Sequence, residues 1–441
     1  NESKTLFRLS KGFDYFDKFK RLCENSSTWD SAEQETFVCE MLNLGKIAIT
    51  DNEHNVEEIL NREVIDIIHN LLHKCNVEKV HLASVKLLHQ LTEFILGREH
   101  ILNYAQCKRC FIDELFKFLD KRNEISRVVM GCMNNLSLNQ TFASKYYFQL
   151  EKVVLSLVET SMINQGHVSN NSKLDVKAQV TLVSSGFATL ANLARVKEIR
   201  KRLQCNDQLW RLCVNVLTEY VDDINRGEIG DMIYAELGLF INLATDESTY
   251  LKNHAISIAP ILLKLLTSEN TDLVKRVVGV LRLLMTYSEE VVQLACTETS
   301  YEILLEIIER TSDDSTISYG VKCLAFCTAR NNDAKAYVSV NGLAVFHRLL
   351  SSSNETIVGN SALILSNCFE QGKACDQFVG TSIVKDLLTL VTRKDLTDGV
   401  KQNVAIALAK LVKHDLRFLE QLRELHGLEI LHSVVQSNSL L

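Results

Sequence analysis

The stretch GFATLANLARVKEIRKRL, residues 186–203, sets the pattern from which the fold of this chain follows. Apolar residues in and just before it recur at the spacing of one helix face, and they are Val183, Phe187, Leu190, Ala191 and Ala194. Asn192 lies beside that face. A basic cluster follows, made of Arg195, Lys197, Arg200, Lys201 and Arg202. The pattern predicts an amphipathic helix with a basic tail.

Eight further segments resemble this one and recur along the whole chain. The residues that align with Asn192 are Lys46, Gln90, Asn135, Asn242, Leu283, Phe326, Asn367 and Lys410. Successive positions are 44, 45, 57, 50, 41, 43, 41 and 43 residues apart, and a period of about 40–47 is typical of armadillo and HEAT units. We therefore predict an all-α, right-handed α-solenoid of about nine armadillo (ARM/HEAT-like) repeats.

Composition agrees with a helical, intracellular protein. Hydrophobic residues make up 46% of the 441 residues, and there is one proline, so a large helical core is expected. Thirteen scattered cysteines favour a reducing compartment. The net charge of −7 gives no overall attraction to nucleic acid or an anionic membrane. No apolar run approaches the roughly 20 residues that span a bilayer. The predicted location is cytoplasmic.

The chain divides into a short N-terminal segment and one long domain. Residues 1–28 are predicted to form a capping or linker helix, and residues 29–441 a single solenoid domain. The two longest intervals reflect polar insertions near 164–177 and 222–231, which we interpret as surface connections. Because the first residue is Asn, we expect that a further portion precedes this chain.

Asparagines at equivalent positions suggest a binding surface. The third helix of each armadillo unit faces a concave groove, and Asn135, Asn192, Asn242 and Asn367 share one position on that helix. A side-chain amide offers a donor and an acceptor to an extended peptide backbone. Alternatively, each asparagine ties its own helix to a neighbouring loop. The sequence leaves both interpretations open.

The position one turn earlier argues against one use of such a groove. Nuclear-import adaptors of this fold place Trp there to hold lysine side chains. This chain has Leu42, Lys86, Gly131, Ala188, Gly238, Gly279, Lys322, Leu363 and Ile406 at that position. A transport adaptor is therefore disfavoured. The repeated glycines indicate close helix packing or room for a ligand backbone.

Basic residues gather at two places that are candidate docking patches for an acidic segment. One is the cluster at residues 195–202. The other comprises Lys410, Lys413 and Arg417, spaced along one helix face. Solvated helix faces are the simpler explanation of both.

Candidate metal and catalytic motifs are weak. His69 and His73 are four residues apart with Cys75 close by, and Cys107 and Cys110 form CKRC. Neither set has a convincing complement of ligands. No nucleophile elbow, phosphate loop or dinucleotide fingerprint occurs. We predict no enzyme activity, no metal, no cofactor and no small-molecule substrate.

Several stretches carry a family resemblance. They are AIALAKLVKHDLRFLEQLRELHGLEIL at residues 405–431, IVGNSALILSNC at 357–368, RVVGVL at 276–281 and LFRLSKGF at 6–13. They resemble the C-terminal armadillo-repeat region of the tetratricopeptide repeat protein 12 family. The resemblance is clear over the last ~170 residues and patchy between residues 30 and 250.

The resemblance implies a cytoplasmic, non-catalytic scaffold or co-chaperone in the preassembly of axonemal dynein arms for motile cilia and flagella. The implied partners are protein clients, such as axonemal dynein chains or other assembly factors. Chaperones would bind an N-terminal tetratricopeptide domain that this sequence does not contain. The alternative is a myosin-chaperone-like or general signalling armadillo scaffold.

Overall fold

A computed structural model gives the architecture of residues 2–9, 11–25, 32–108, 110–121, 123–165, 173–224, 227–246 and 249–438. These residues form helices joined by short turns, and none of them lies in a strand. The helices fall into two compact units, Asn1–Val216 with Arg226–Leu243 and Leu217–Asn225 with Ala244–Leu441, which we call unit 1 and unit 2.

The helices up to Leu243 are α1 (Glu2–Leu9), α2 (Asp14–Asn25), α3 (Ala32–Ile49), α4 (Glu53–Leu60), α5 (Val64–Lys74), α6 (Glu78–Thr92), α7 (Ile95–Cys107), α8 (Cys110–Leu119), α9 (Glu124–Leu136), α10 (Gln140–Gln165), α11 (Lys173–Leu193), α12 (Lys197–Gln204), α13 (Asp207–Tyr220) and α14 (Gly227–Leu243).

Unit 2 contains a 3₁₀ turn at Val221–Asp223. Its complete helices are α15 (Thr249–Leu265), α16 (Thr271–Tyr287), α17 (Glu289–Thr297), α18 (Ser300–Arg310), α19 (Asp314–Arg330), α20 (Asn332–Asn341), α21 (Leu343–Leu349), α22 (Glu355–Cys368), α23 (Gly372–Asp376), α24 (Ile383–Thr392), α25 (Asp398–His414), α26 (Leu416–Glu424) and α27 (Gly427–Asn438).

Each of the nine recurring segments lies largely within one helix of the described chain, which confirms the predicted repeat. In unit 1 these helices are α3, α6, α9, α11 and α14, and each packs against the next. In unit 2 they are α16, α19, α22 and α25, again in succession. We call them the third-helix rows. Most are preceded by two shorter helices, as in α17–α18–α19, and the fold class is the expected all-α armadillo-like solenoid.

The N-terminal segment forms two helices where the sequence suggested one. α1 and α2 pack on α3, α4 and α5. Phe13, Phe16 and Phe19 are fully buried, and their rings contact one another at centroid distances of 6.0 Å. This aromatic cluster covers the start of the first repeat. Residues 26–28, at the end of the expected segment, lie outside the described residues.

The two expected insertions differ in extent. α10 continues to Gln165 and α11 begins at Lys173, so the middle of the 164–177 insertion lies outside the described residues. The 222–231 stretch is only partly a connection, because α14 begins at Gly227. Ile229 and Gly230 are already buried in that helix, which shortens the solvated part.

The stretch at residues 186–203 does not form one continuous helix. α11 ends at Leu193, a tight turn follows, and α12 begins at Lys197. Arg200, with 8% exposure, folds back from α12. Its Nη1 donates to the carbonyl oxygens of Ala194 at 3.0 Å and Arg195 at 3.5 Å. These carbonyls have no partner within α11 once the helix stops, so the guanidinium satisfies groups that burial would otherwise leave unpaired.

One helix of the third-helix row of unit 1 carries a buried carboxyl group. Glu236 on α14 has no exposed surface, and neither of its oxygens has a hydrogen-bond partner among the described residues. Burial raises the pKa of the Glu236 carboxyl well above its usual range, and contact with the Cys213 thiol offsets only part of that effect. The folded chain therefore holds this group in its neutral form more readily than the unfolded chain.

We predict that Arg200→Met lowers the free energy of unfolding by about 2 kcal/mol, because buried carbonyls lose a charged donor. Arg195→Met removes an exposed basic side chain from the same turn and is expected to change stability by less than about 0.5 kcal/mol. Urea denaturation followed by circular dichroism measures both. Equal effects of the two changes would contradict the role given to Arg200.

We also predict that Glu236 makes stability depend on pH. The folded-state pKa is raised, so the contribution of this group is complete below the unfolded-state value of about 4.3 and is lost as pH rises towards the folded-state pKa. Across that window the free energy of unfolding falls by up to about 1.4 kcal/mol per pH unit on account of Glu236. Glu236→Gln should remove this component.

The control for that change is Glu228→Gln in the first turn of the same helix. Glu228 is paired with Lys177, which lowers the pKa of its carboxyl, so its removal should leave the fall in stability at higher pH in place. Denaturation curves between pH 4.5 and pH 8 measure both variants. An unchanged pH slope in Glu236→Gln would show that Glu236 does not titrate in this way.

Candidate functional site

The four asparagines of the third-helix rows have one contact in common. The side-chain Nδ2 of each donates to the third helix of the preceding repeat or to the turn at its end. Asn135 reaches Thr92 Oγ1 at 3.0 Å, and Asn242 reaches the Ala191 carbonyl at 2.7 Å. Asn367 reaches Thr328 Oγ1 at 3.2 Å. Each amide therefore joins two successive repeats.

Asn192 makes the densest set of these contacts. Its Nδ2 lies 3.1 Å from the Asn134 carbonyl oxygen, 3.0 Å from the Asn134 side-chain oxygen and 3.0 Å from Ser137 Oγ. Two N–H groups shared among three acceptors leave no donor for a ligand. Each asparagine thus ties its own helix to a neighbouring element, and that element is usually a helix of the preceding repeat and not the loop that the sequence suggested.

The amide oxygens are in a different situation. Asn135, Asn192 and Asn242 are each half-buried, and no donor of the described residues bonds their Oδ1 atoms. Those oxygens are not among the fully buried, unpaired side-chain atoms, so solvent reaches them. Each can accept a hydrogen bond from a ligand N–H. The surface thus offers a series of acceptors, where the sequence suggested a donor and an acceptor at every position.

The remaining positions of the row bring other chemistry. Gln90 donates to Glu93 within one turn, and Lys410 pairs with Glu370 at 2.7 Å. Gly131 lies so close to the His89 ring that a Cβ atom would be 2.6 Å from Nε2. Close packing against the preceding repeat therefore accounts for this glycine. The polar acceptors are concentrated in unit 1.

The basic cluster at residues 195–202 is split by the fold. Arg200 of α12 is buried and bonds the carbonyls at the end of α11, so it is not available to a client. Arg202 stacks on Tyr147, with its Cζ 5.3 Å from the ring centroid, and donates to the Tyr147 hydroxyl. Arg195, Lys197 and Lys201 are exposed. Four of the five cations therefore remain accessible on the surface.

The second basic group is largely neutralised by acids. Lys410 and Lys335 both pair with Glu370 at 2.7 Å. Arg417 pairs with its neighbour Asp415, at 2.6 Å between Nη2 and Oδ2. Lys413 is exposed, and it makes no ion pair within the described part of the chain. The charge available to an acidic partner here is smaller than the sequence alone indicates.

His69 and His73 lie in a hydrogen-bond network between α5, α7 and α8. The Tyr104 hydroxyl donates to Asp66 at 3.0 Å and accepts from His69 Nδ1 at 2.8 Å. His69 Nε2 then faces Cys110 Sγ at 3.6 Å. Burial lowers the pKa of the His69 imidazole, which favours the neutral ring that this pattern requires.

Glu114 completes that network from α8. It is buried, and its Oε1 lies 2.5 Å from His73 Nδ1. Cys75 is buried and interacts with the backbone N–H of Val77, while Cys107 is exposed. In the part of the chain that the structure describes, no three His, Cys, Asp or Glu side chains are arranged to hold a metal ion. The network connects three helices.

Sequence reasoning missed one group on the third-helix row of unit 2. Arg282 of α16 lies over the Tyr319 ring of α19, and Lys322 of α19 lies against the Phe326 ring. In the sequence, Lys322 stands out only as one of the residues at the position where import adaptors have tryptophan. The overlooked signal is charge along successive helices: in α16, α19, α22 and α25, acidic residues occur only in the first turn.

Comparison with known proteins places these observations in context. The chain is 27% identical to human tetratricopeptide repeat protein 12 over 437 residues, which is 98% of the chain. It is 25% identical to the mouse protein over the same length. The chain spans 60% of the length of these relatives. No family model matches it.

The fold has a counterpart among solved structures. The crystal structure of an engineered protein aligns with this chain at a TM-score of 0.68 and 17% sequence identity. The alignment covers 95% of this chain and 93% of the engineered protein. No helix of the described residues has both the length and the apolar composition needed to cross a bilayer. The similarity to these relatives extends along almost the whole chain. It confirms the sequence resemblance to the tetratricopeptide repeat protein 12 family.

Proposed function

We propose that this chain is a non-catalytic scaffold that binds an extended segment of a protein client along its third-helix rows. The observation that carries the proposal is the series of accessible amide oxygens on Asn135, Asn192 and Asn242, which belong to three consecutive helices of the row. A strand laid across these helices can donate its backbone N–H groups to them.

The different roles of the nitrogen and the oxygen in each side-chain amide support this function. Because Nδ2 is bound to the preceding repeat, the orientation of the side chain is fixed before any ligand arrives. A fixed acceptor costs less conformational entropy on binding than a mobile one. Asn367 lies on the row of unit 2 with the same orientation towards Thr328, and with 9% exposure it contributes mainly to packing.

We further propose that the client belongs to the preassembly of axonemal dynein arms and that the chain acts there as a cytoplasmic co-chaperone or scaffold. Homology to tetratricopeptide repeat protein 12 over 98% of the chain supports the assignment. Axonemal dynein chains or other assembly factors are the proposed clients, and chaperones would bind through a tetratricopeptide domain outside this sequence. A myosin-chaperone-like or general signalling scaffold is the competing function, and the identity of the client separates the two.

The test is affinity purification of the tagged chain from ciliated cells, with bound proteins quantified by mass spectrometry. We expect axonemal dynein chains to be enriched relative to the tag alone. Changing Asn135, Asn192 and Asn242 together to Ala should reduce that enrichment about tenfold or more, since three acceptor bonds of about 0.5–1.5 kcal/mol each are lost. Absence of dynein chains from the intact sample would overturn the assigned process.

The matched control is Asn360→Ala on α22. Within the described residues, the Asn360 side-chain amide bonds only its own helix, at 2.8 Å from the Thr356 carbonyl. The triple variant also loses bonds between repeats, so its helicity and melting temperature are measured, and the three single variants are purified alongside. Full client enrichment in a folded triple variant would show that the asparagines are structural and that the client binds elsewhere.

A further inference from the structure

Two cations lie on adjacent helices of the third-helix row of unit 2. Arg282 of α16 places its Cζ 4.9 Å from the centroid of the Tyr319 ring on α19. Lys322, one turn further along α19, places its Nζ 6.0 Å from the centroid of the Phe326 ring. All four side chains are half-buried. The cations therefore sit against aromatic surface and not in bulk water.

Neither cation has an acidic partner. Among the described residues, no hydrogen bond or ion pair involves the Arg282 guanidinium or the Lys322 ammonium group. The Nε of Arg282 is buried and has no acceptor. Other basic groups of the same row are paired: Lys275 with Asp313 at 3.0 Å, and Arg330 with Glu289 at 3.1 Å. A buried N–H group without an acceptor is costly.

The helices around Arg282 and Lys322 supply no negative charge near them. Beyond their first turns, the four helices of this row, all of them described, contain no Asp or Glu. Burial and the neighbouring Arg282 charge lower the pKa of the Lys322 ammonium group. Two like charges held together without a counter-charge destabilise the free protein. A bound anion would relieve that repulsion and satisfy the Arg282 N–H groups.

We propose that Arg282 and Lys322 bind a Glu or Asp side chain of an acidic peptide segment, which runs along the third-helix row of unit 2. The guanidinium plane presents paired donors that match a carboxylate, and Lys322 adds a second charge-assisted bond. Tyr319 and Phe326 offer apolar surface to the methylene groups of the bound side chain. This site rests on the proposed protein-binding function and specifies the chemistry of the client.

An acidic peptide fits better than a nucleic acid. Nucleic acid binding uses a long series of free cations to follow the phosphates. Here Lys275, Arg330 and Lys410 on the same row are already paired with acids, and the whole chain carries a net charge of −7. Two adjacent unpaired cations suit one carboxylate side chain of a peptide.

The binding test uses the full chain and a fluorescent dodecapeptide of alternating Glu and Ser, with fluorescence anisotropy as the readout. We expect Arg282→Gln with Lys322→Gln to weaken binding at least tenfold. The control pair is Lys275→Gln with Arg330→Gln, which removes the same charge from the same two helices and should weaken binding less than threefold. Arg282→Glu with Lys322→Glu should abolish binding of the acidic peptide and favour a Lys/Ser peptide of equal length.

Three further outcomes decide the proposal. Melting temperatures should show that Arg282→Gln with Lys322→Gln is no less stable than the parent chain, because repulsion is relieved. Equal loss of binding in the control pair would reduce the site to general charge and overturn it. Tighter binding of a twelve-nucleotide single strand than of the acidic peptide, lost in the same variant, would assign the site to phosphate and also overturn it.

The cell-based purification separates this site from the function on which it rests. If the intact chain enriches dynein chains and Arg282→Gln with Lys322→Gln enriches them equally, the function stands and the site is wrong. If the intact chain enriches none, the dynein assignment fails whatever the peptide measurement shows.

Discussion

The structure depends on the burial of one face of each third helix by its neighbours in the row. Phe187 and Leu190 of α11 are fully buried, and α9 and α14 lie on either side of that helix. A helix of this kind exposes too much apolar surface to be stable alone. Each repeat therefore becomes stable through the repeats beside it, and the polar groups at the seams determine how those repeats meet.

Polar contacts at the seams serve packing first. The Nδ2 atoms of Asn135, Asn192 and Asn242 bond the preceding repeat, and Arg200 satisfies the carbonyls at the end of α11. Such groups would be costly if left unpaired in a partly buried position. The same arrangement keeps the amide oxygens of these asparagines fixed and accessible. The proposed binding function therefore uses the end of the side chain that packing leaves free.

The pairing of charges determines which basic residues are available to a partner. Counting cations in the sequence gives two patches, but Arg200 is buried and Lys410 is paired with Glu370. By contrast, Arg282 and Lys322 form no patch in the sequence, since 40 residues separate them. The fold places them on adjacent helices, each against an aromatic ring, and no acid of the described residues pairs with either. Net charge is a property of composition, whereas available charge is a property of tertiary contacts.

The sequence by itself determined the repeat, its period and the nine third-helix segments, because apolar spacing along a helix is local and repeats with the chain. It also identified the equivalent asparagines. Tertiary structure decided the break after Leu193, the burial of Arg200, the hydrogen bonds that occupy each Nδ2, and the network of His69 and Glu114. These features depend on distances between residues that lie far apart in the chain. The spacing of residues along one helix does not show which atoms of another helix its side chains contact.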